Sequence, residues 1–172
     1  MAEITVAKSA GFCFGVNRAV KIAFDVAESK NGGCTLGPII HNKEMVKELS
    51  DKGVVSVDSL DEIGDRQPVI IRSHGVKRSV YEKLSEMGVE YIDATCPFVS
   101  KIHRIVYEMS SQGYTILIAG DENHPEVQGI LSNCVSRYYI FQNETDLENI
   151  VSLIPGGNYI GVCVVAQTTF NE

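Results

Sequence analysis

One pattern recurs along the chain: an apolar, β-branched run ends in a residue able to ligate metal, move a proton or hold an anion, and a helical pattern follows. The runs are EITVAKSAGFC to Cys13, CTLGPIIH to His41, VIIRSH to His74, VEYIDATC to Cys96, TILIAGDENHPE with His124 and Glu126, and GVCVVAQTT to Thr168 and Thr169. Strands alternating with helices in this way build mostly parallel sheets through right-handed crossovers. Ligands of such sheets bind outside the carboxyl ends of the strands, where the strand-to-helix loops converge. The expected fold class is therefore α/β, with mostly parallel sheets flanked by helices. Thiols, imidazoles, a carboxylate and hydroxyls gathered at one sheet edge suit an enzyme site assembled from many strands.

Helical spacing supports this reading. After Cys13, apolar residues at Val16, Ala19, Val20, Ala23, Phe24 and Ala27 follow the amphipathic period, and Asn31-Gly32-Gly33 is the expected stop. A second helix starts after His41 with Asn42 as cap and Gly53 as stop, and Val54 to Val57 reads as a strand. Ser79 and Glu82 have the spacing of a capping box. Pro97 suits a first helical turn, where no N–H is needed. Thr145 or Asp146 is the expected cap of a later helix, broken by Pro155-Gly156-Gly157. The Cys96-Pro97 junction is the best boundary, which gives residues 1–13 as an N-terminal strand and cysteine loop, 14–96 as a first lobe and 97–172 as a second. Because the last loop leads into no helix, the sequence reads as truncated.

A chain of 172 residues suits one domain, or two small ones sharing a core. With 44% hydrophobic and 22% charged residues it has the composition of a soluble globular protein. A net charge of −7 without a Lys/Arg run argues against a nucleic-acid surface. No apolar stretch reaches the roughly 20 residues of a membrane span, and no signal-peptide core is present; the expectation is a cytoplasmic protein with no membrane partner. Five irregularly spaced cysteines do not form a disulfide framework. Cys34, Cys134 and Cys163 read as reduced packing residues, whereas Cys13 and Cys96 stand at strand ends beside Gly or Pro.

Thiolates are soft ligands suited to zinc, copper(I) or iron–sulfur clusters. No close C-x-x-C or H-x-x-x-H spacing marks a structural zinc site. Single cysteines on separate loops suit a cluster at a domain junction, and two unconnected buried cysteines are the plain alternative. His41, His74 and His124 at strand ends can hydrogen-bond a phosphate or diphosphate, helped by loop N–H groups at helix starts. Each taken alone also fits a capping or core histidine, the role the mid-helix His103 fits better. Glu126 stands two residues after His124, as in the H-x-E of zinc deaminases, but the downstream P-C-x-x-C of those enzymes is missing. It reads as a proton donor or relay organised by His124 and the Thr168/Thr169 hydroxyls, or as an acid near a helix N-terminus.

GFCFGV around Cys13, PIIHN at His41, SHGV at His74, DATCP at Cys96, HPEV from His124 and QTT from Gln167 together resemble the 4-hydroxy-3-methylbut-2-enyl diphosphate reductases. The resemblance runs along the whole chain, in order. It implies reductive removal of an allylic hydroxyl, giving isopentenyl and dimethylallyl diphosphate in the last step of the non-mevalonate isoprenoid pathway. It also implies a 4Fe–4S cluster held by three cysteines, an electron donor such as ferredoxin or flavodoxin, and three α/β lobes around the cluster. Carried over by motif, Cys13 and Cys96 are two cluster ligands, and His41, His74 and His124 contact the diphosphate. Glu126 delivers protons, and Thr168 helps position the substrate hydroxyl. This chain covers about the first two lobes, lacks the third cysteine ligand, and by the same resemblance is inactive alone; its strand from about Glu3 to Ala10 belongs with the third lobe. The rival reading is a non-catalytic diphosphate-binding or metal-binding α/β module.

Overall fold

In the computed structural model, residues 4–7, 10–29, 32–154 and 160–170 are described. Every strand pairing among them is parallel, in two sheets. The first holds β1 (Gly33–Leu36), β2 (Val54–Val57), β3 (Val69–Ile71) and β4 (Tyr91–Asp93) in the order β2-β1-β3-β4. The second holds β5 (Thr115–Ala119), β6 (Tyr138–Phe141) and β7 (Val162–Ala166) in the order β6-β5-β7. The helices are α1 (Phe14–Ser29), α2 (Lys43–Asp51), α3 (Arg78–Glu86), α4 (Pro97–Ser111), α5 (Pro125–Leu131) and α6 (Glu144–Leu153). The fold is α/β, with mostly parallel sheets flanked by helices, as its sequence pattern predicts.

The central strands are buried on both faces and read as unbroken apolar runs, as parallel strands do: β1, β3 and β5 have no exposed residue. One face of the first sheet packs Val54 and Ile70 against Ala19, Ala23 and Val26 of α1 and Leu49 of α2. The other packs Cys34, Val69 and Ile71 against Leu84 of α3. In the second sheet Ile116 and Ile118 meet Val106 of α4 and Val127 and Ile130 of α5.

Strand order decides where chemistry can sit. From β1 the chain moves first to β2 on one side and then to β3 on the other, so the loops after β1 and β3 leave in opposite directions and open a crevice. The same reversal separates β5 from β7. Such switch points are the binding crevices of open α/β sheets. His41 follows β1 and His74 follows β3; His124 and Glu126 follow β5, and Thr168 follows β7.

Residues 4–7, part of the segment expected to belong with a third lobe, pair with no strand of either sheet, and Ile4 and Val6 are 86% and 74% exposed. Local structure departs from expectation at other places. Ser79 does not cap α3: Lys77 is its cap without a side-chain bond, the Arg78 N–H donates to Ser132 Oγ, and Glu82 pairs with Arg78 instead. α6 is capped by Asn143, whose side chain accepts from the Asp146 N–H, while Asp146 accepts from the Gln142 N–H. Asn42 caps α2 through the Met45 N–H, and Pro97 stands in the first turn of α4. Asn31 and the Pro155-Gly156-Gly157 break lie outside the described residues. No helix of the described residues is long and apolar enough to cross a membrane.

Candidate active site

The three strand-end imidazoles meet. Ring centroids lie 4.9 Å apart for His41 and His74, 5.6 Å for His74 and His124, and 6.2 Å for His41 and His124. Ser73 ties their supports together. Its hydroxyl donates to the Ile39 carbonyl of the His41 loop at 3.2 Å, and its own carbonyl accepts from the Cys96 N–H at 2.8 Å. A cleft of about 230 Å³ lies beside the rings, between Phe12 and Val16 on one side and His41, Ser73 and His74 on the other. Ser73, buried and bonded to two distant loops, is a positioning residue that strand-end reasoning misses, because its partners are distant in sequence.

Burial pushes the His74 imidazole down to about 4, helped by the neighbouring charges of His41, His124 and Arg72. A neutral ring still offers one N–H, and local bonding says which nitrogen of His124 carries it. His124 caps α5, where its Nδ1 accepts the Glu126 N–H at 3.2 Å. The hydrogen of the neutral ring is then on Nε2, a donor. One nitrogen of each ring lies within 4.8 Å of one on each of the others, a spacing suited to an ion. A metal would need a free lone pair on His124; with Nδ1 engaged and Nε2 protonated, it would have to break the helix cap. The arrangement favours an anion that accepts N–H bonds.

Glu126 is fully buried yet bonded at both oxygens: the Thr168 N–H reaches Oε1 at 2.7 Å and the Thr168 hydroxyl reaches Oε2 at 2.8 Å. The clasp spans the switch point between β5 and β7. Thr169 takes no part in it; its hydroxyl accepts from Gln167 Nε2, and Gln167 Oε1 accepts from the Asp121 N–H, which fixes the loop that leads to His124. The carboxylate therefore stands in a prepared cradle two residues after His124, held by Thr168, an exposed residue.

The two thiols approach the same region from the helix side. Cys13 immediately precedes α1 and is exposed; Cys96 is the residue before α4. A Cβ on Gly15 would collide with the Cys96 thiol, so glycine in the first turn of α1 makes room for it and brings the two cysteine loops together. Arg18 locks this arrangement by donating to the Thr95 and Asp93 carbonyls. Cysteines on converging loops are the donor type that suits an iron–sulfur cluster. Cys34 is fully buried with its thiol raised by burial, and Cys134 and Cys163 pack against the core of the second sheet.

A family profile described as LytB protein matches residues 4–172. The chain belongs to the LytB family. A 4-hydroxy-3-methylbut-2-enyl diphosphate reductase of Clostridioides difficile is 43% identical over 170 residues, covering 98% of this chain and 60% of that protein. The namesake protein of Caldanaerobacter subterraneus is 44% identical over 176 residues, covering 99% of this chain and 58% of its own. A solved (E)-4-hydroxy-3-methyl-but-2-enyl diphosphate reductase, described as the terminal enzyme of the non-mevalonate pathway, superposes with a TM-score of 0.81 at 39% identity, covering this whole chain and 60% of that one. A Plasmodium falciparum reductase superposes at 0.85 with 27% identity, covering 94% of this chain and 50% of that one. This LytB chain thus spans about 60% of the length of its curated relatives.

Proposed function

We propose that the chain is the part of a 4-hydroxy-3-methylbut-2-enyl diphosphate reductase that grips the diphosphate and supplies the proton. The whole protein removes the allylic hydroxyl with two electrons and protons, giving isopentenyl and dimethylallyl diphosphate. The observation that carries this is the meeting of three imidazoles at one switch crevice, with a clasped carboxylate and two thiols beside it. His41, His74 and His124 donate N–H bonds to the diphosphate. Glu126, held by Thr168, moves a proton to the leaving oxygen, while the Thr168 hydroxyl orients that oxygen. Cys13 and Cys96 are two of the ligands of a 4Fe–4S cluster, which when bound supplies the electrons delivered by a ferredoxin- or flavodoxin-type donor. In this reading residues 1–13 are the segment that leads into the first cysteine and pairs with the third lobe of the whole protein, 14–96 the first lobe and 97–172 the second.

The test is calorimetry of inorganic diphosphate on this chain, joined to turnover of the protein at the full length of its relatives. Replacing any one of the three histidines by Ala weakens diphosphate binding about 10- to 100-fold, the scale of a charged hydrogen bond of about 1.5–3 kcal/mol. Glu126→Gln leaves diphosphate binding in place and lowers turnover about 10²-fold or more. Unchanged binding in all three histidine variants overturns the clamp, and normal turnover in Glu126→Gln overturns the proton donor.

A further inference from the structure

The loops that carry the histidines have a second face. Behind them opens a cavity of about 470 Å³, within the size range of small-molecule sites. None of its lining residues lines the cleft beside His41 and His74. Each histidine loop nevertheless contributes to it: Pro38 lies ahead of His41, Arg72 ahead of His74, and Asn123 and Pro125 flank His124.

Arg72 is the unusual group there. It is half-buried, yet no carboxylate lies within ion-pair distance of it among the described residues. Its Nε donates one long bond, 3.4 Å, to the Gly75 carbonyl. Its guanidinium lies on the turn at Gly37, where an added Cβ would come within 2.5 Å of Nη1; the positive φ of Gly37 and its missing side chain leave that space to the arginine. Guanidinium keeps its charge and offers five N–H donors in a fixed fork that matches phosphate and carboxylate oxygens. Lys77 adds a second cation to the same wall, and Asp58, exposed at the end of β2, is the one carboxylate facing the cavity. The remaining wall is largely apolar, with Leu60, Val76 and Val80.

We propose that this cavity is a second anion site, distinct from the histidine crevice, which takes a small phosphate ester with a short hydrocarbon arm. The phosphate sits on the Arg72 fork within reach of Lys77, and the arm lies along Leu60, Val76 and Val80. The site shares no lining residue with the histidine crevice, although the Arg72 charge reaches His74.

Butyl phosphate and inorganic phosphate, titrated into the whole chain by calorimetry, test it. Butyl phosphate binds at least about 10-fold tighter than inorganic phosphate, since each buried methylene adds roughly 4-fold. Arg72→Gln weakens it about 10- to 100-fold. Lys77→Gln, a change at an exposed side chain outside the Arg72–Gly75 bond, also weakens it and guards against a folding defect in the arginine variant. The doubly substituted His41→Ala/His124→Ala chain, with the histidine crevice disabled, keeps one butyl phosphate site, and Arg72→Gln in that background weakens it by the same factor. Binding lost in the histidine variant but kept in Arg72→Gln and Lys77→Gln overturns the proposal, as does equal affinity for the two phosphates or binding by neither. Loss of diphosphate binding alone bears only on the histidine crevice.

Discussion

Two side chains set the chemistry of the crevice through what surrounds them. Glu126 is buried and, among the described residues, has no cationic partner, so its satisfaction rests on the Thr168 hydroxyl and N–H. Removing one donor from a buried carboxyl group leaves it under-satisfied. Thr168→Val, which keeps the N–H, therefore lowers unfolding free energy by about 1.5–3 kcal/mol in urea titrations. In the Glu126→Gln background the same change costs less, and additive effects would deny the coupling. His74 responds to pH. Its native pKa of about 4 lies below the ordinary 6.5, so the folded chain binds fewer protons than the unfolded one between those values. Stability contributed above pH 6.5 is lost as pH falls through that window toward 4. A bound anion works the other way, favouring the imidazolium and raising the His74 pKa. Imidazole NMR with and without inorganic diphosphate shows this; a His74 signal still titrating near 4 in the bound chain removes it from the clamp.

Helix starts carry the site, and they differ in how far the sequence discloses them. Asn42 follows His41 directly and caps α2 by accepting the Met45 N–H at 2.9 Å. Asn42→Ala costs about 0.5–2 kcal/mol of stability and, by loosening the loop that aims His41, weakens diphosphate binding without touching a histidine; thermal melts and calorimetry measure both, and unchanged affinity would make the cap purely structural. That cap, the Pro97 start of α4 and the α/β alternation were legible because they depend on neighbours in sequence. The Ser79/Glu82 capping box was misleading because α3 borrows Ser132 from α5 and Glu82 is drawn to Arg78. The strand Tyr138–Phe141 passed unread because it is short and ends in no residue of the recurring pattern. Within the site, strand ends located the histidines, but the switch points follow from strand order, which periodicity does not encode. The tautomer of His124, the hub at Ser73 and the unpaired fork of Arg72 depend on contacts between loops far apart in sequence, and only the folded chain reveals them.

At the scale of the molecule, one seam between the two sheets is sensitive to acid. Arg78 at the start of α3 lies 5.3 Å from the Tyr107 ring of α4, and its N–H bonds Ser132 at the end of α5. Deeper in the same seam, His103 of α4 fits between Gly75, next to His74, and Gly129 on the helix of Glu126. A Cβ at either glycine would come within 3.0–3.1 Å of the ring. His103 Nε2 is buried with no hydrogen-bond partner, and burial lowers the pKa of the ring from 6.5 against a smaller opposing pull from Asp93. The native chain thus holds His103 neutral where the unfolded chain protonates it, so the seam weakens as pH drops below about 6.5. Because the ring touches both loop supports, protonating it loosens the distance between His74 and Glu126 as well as the packing. His103→Leu, an apolar filling of similar volume, stays within about 1.5 kcal/mol of the parent at pH 7.5 and loses less stability on going to pH 5. His74→Gln isolates the share of the acid response that belongs to the crevice. Urea unfolding of the three chains across this range measures both; parallel pH slopes in the parent and His103→Leu would leave His103 as packing alone.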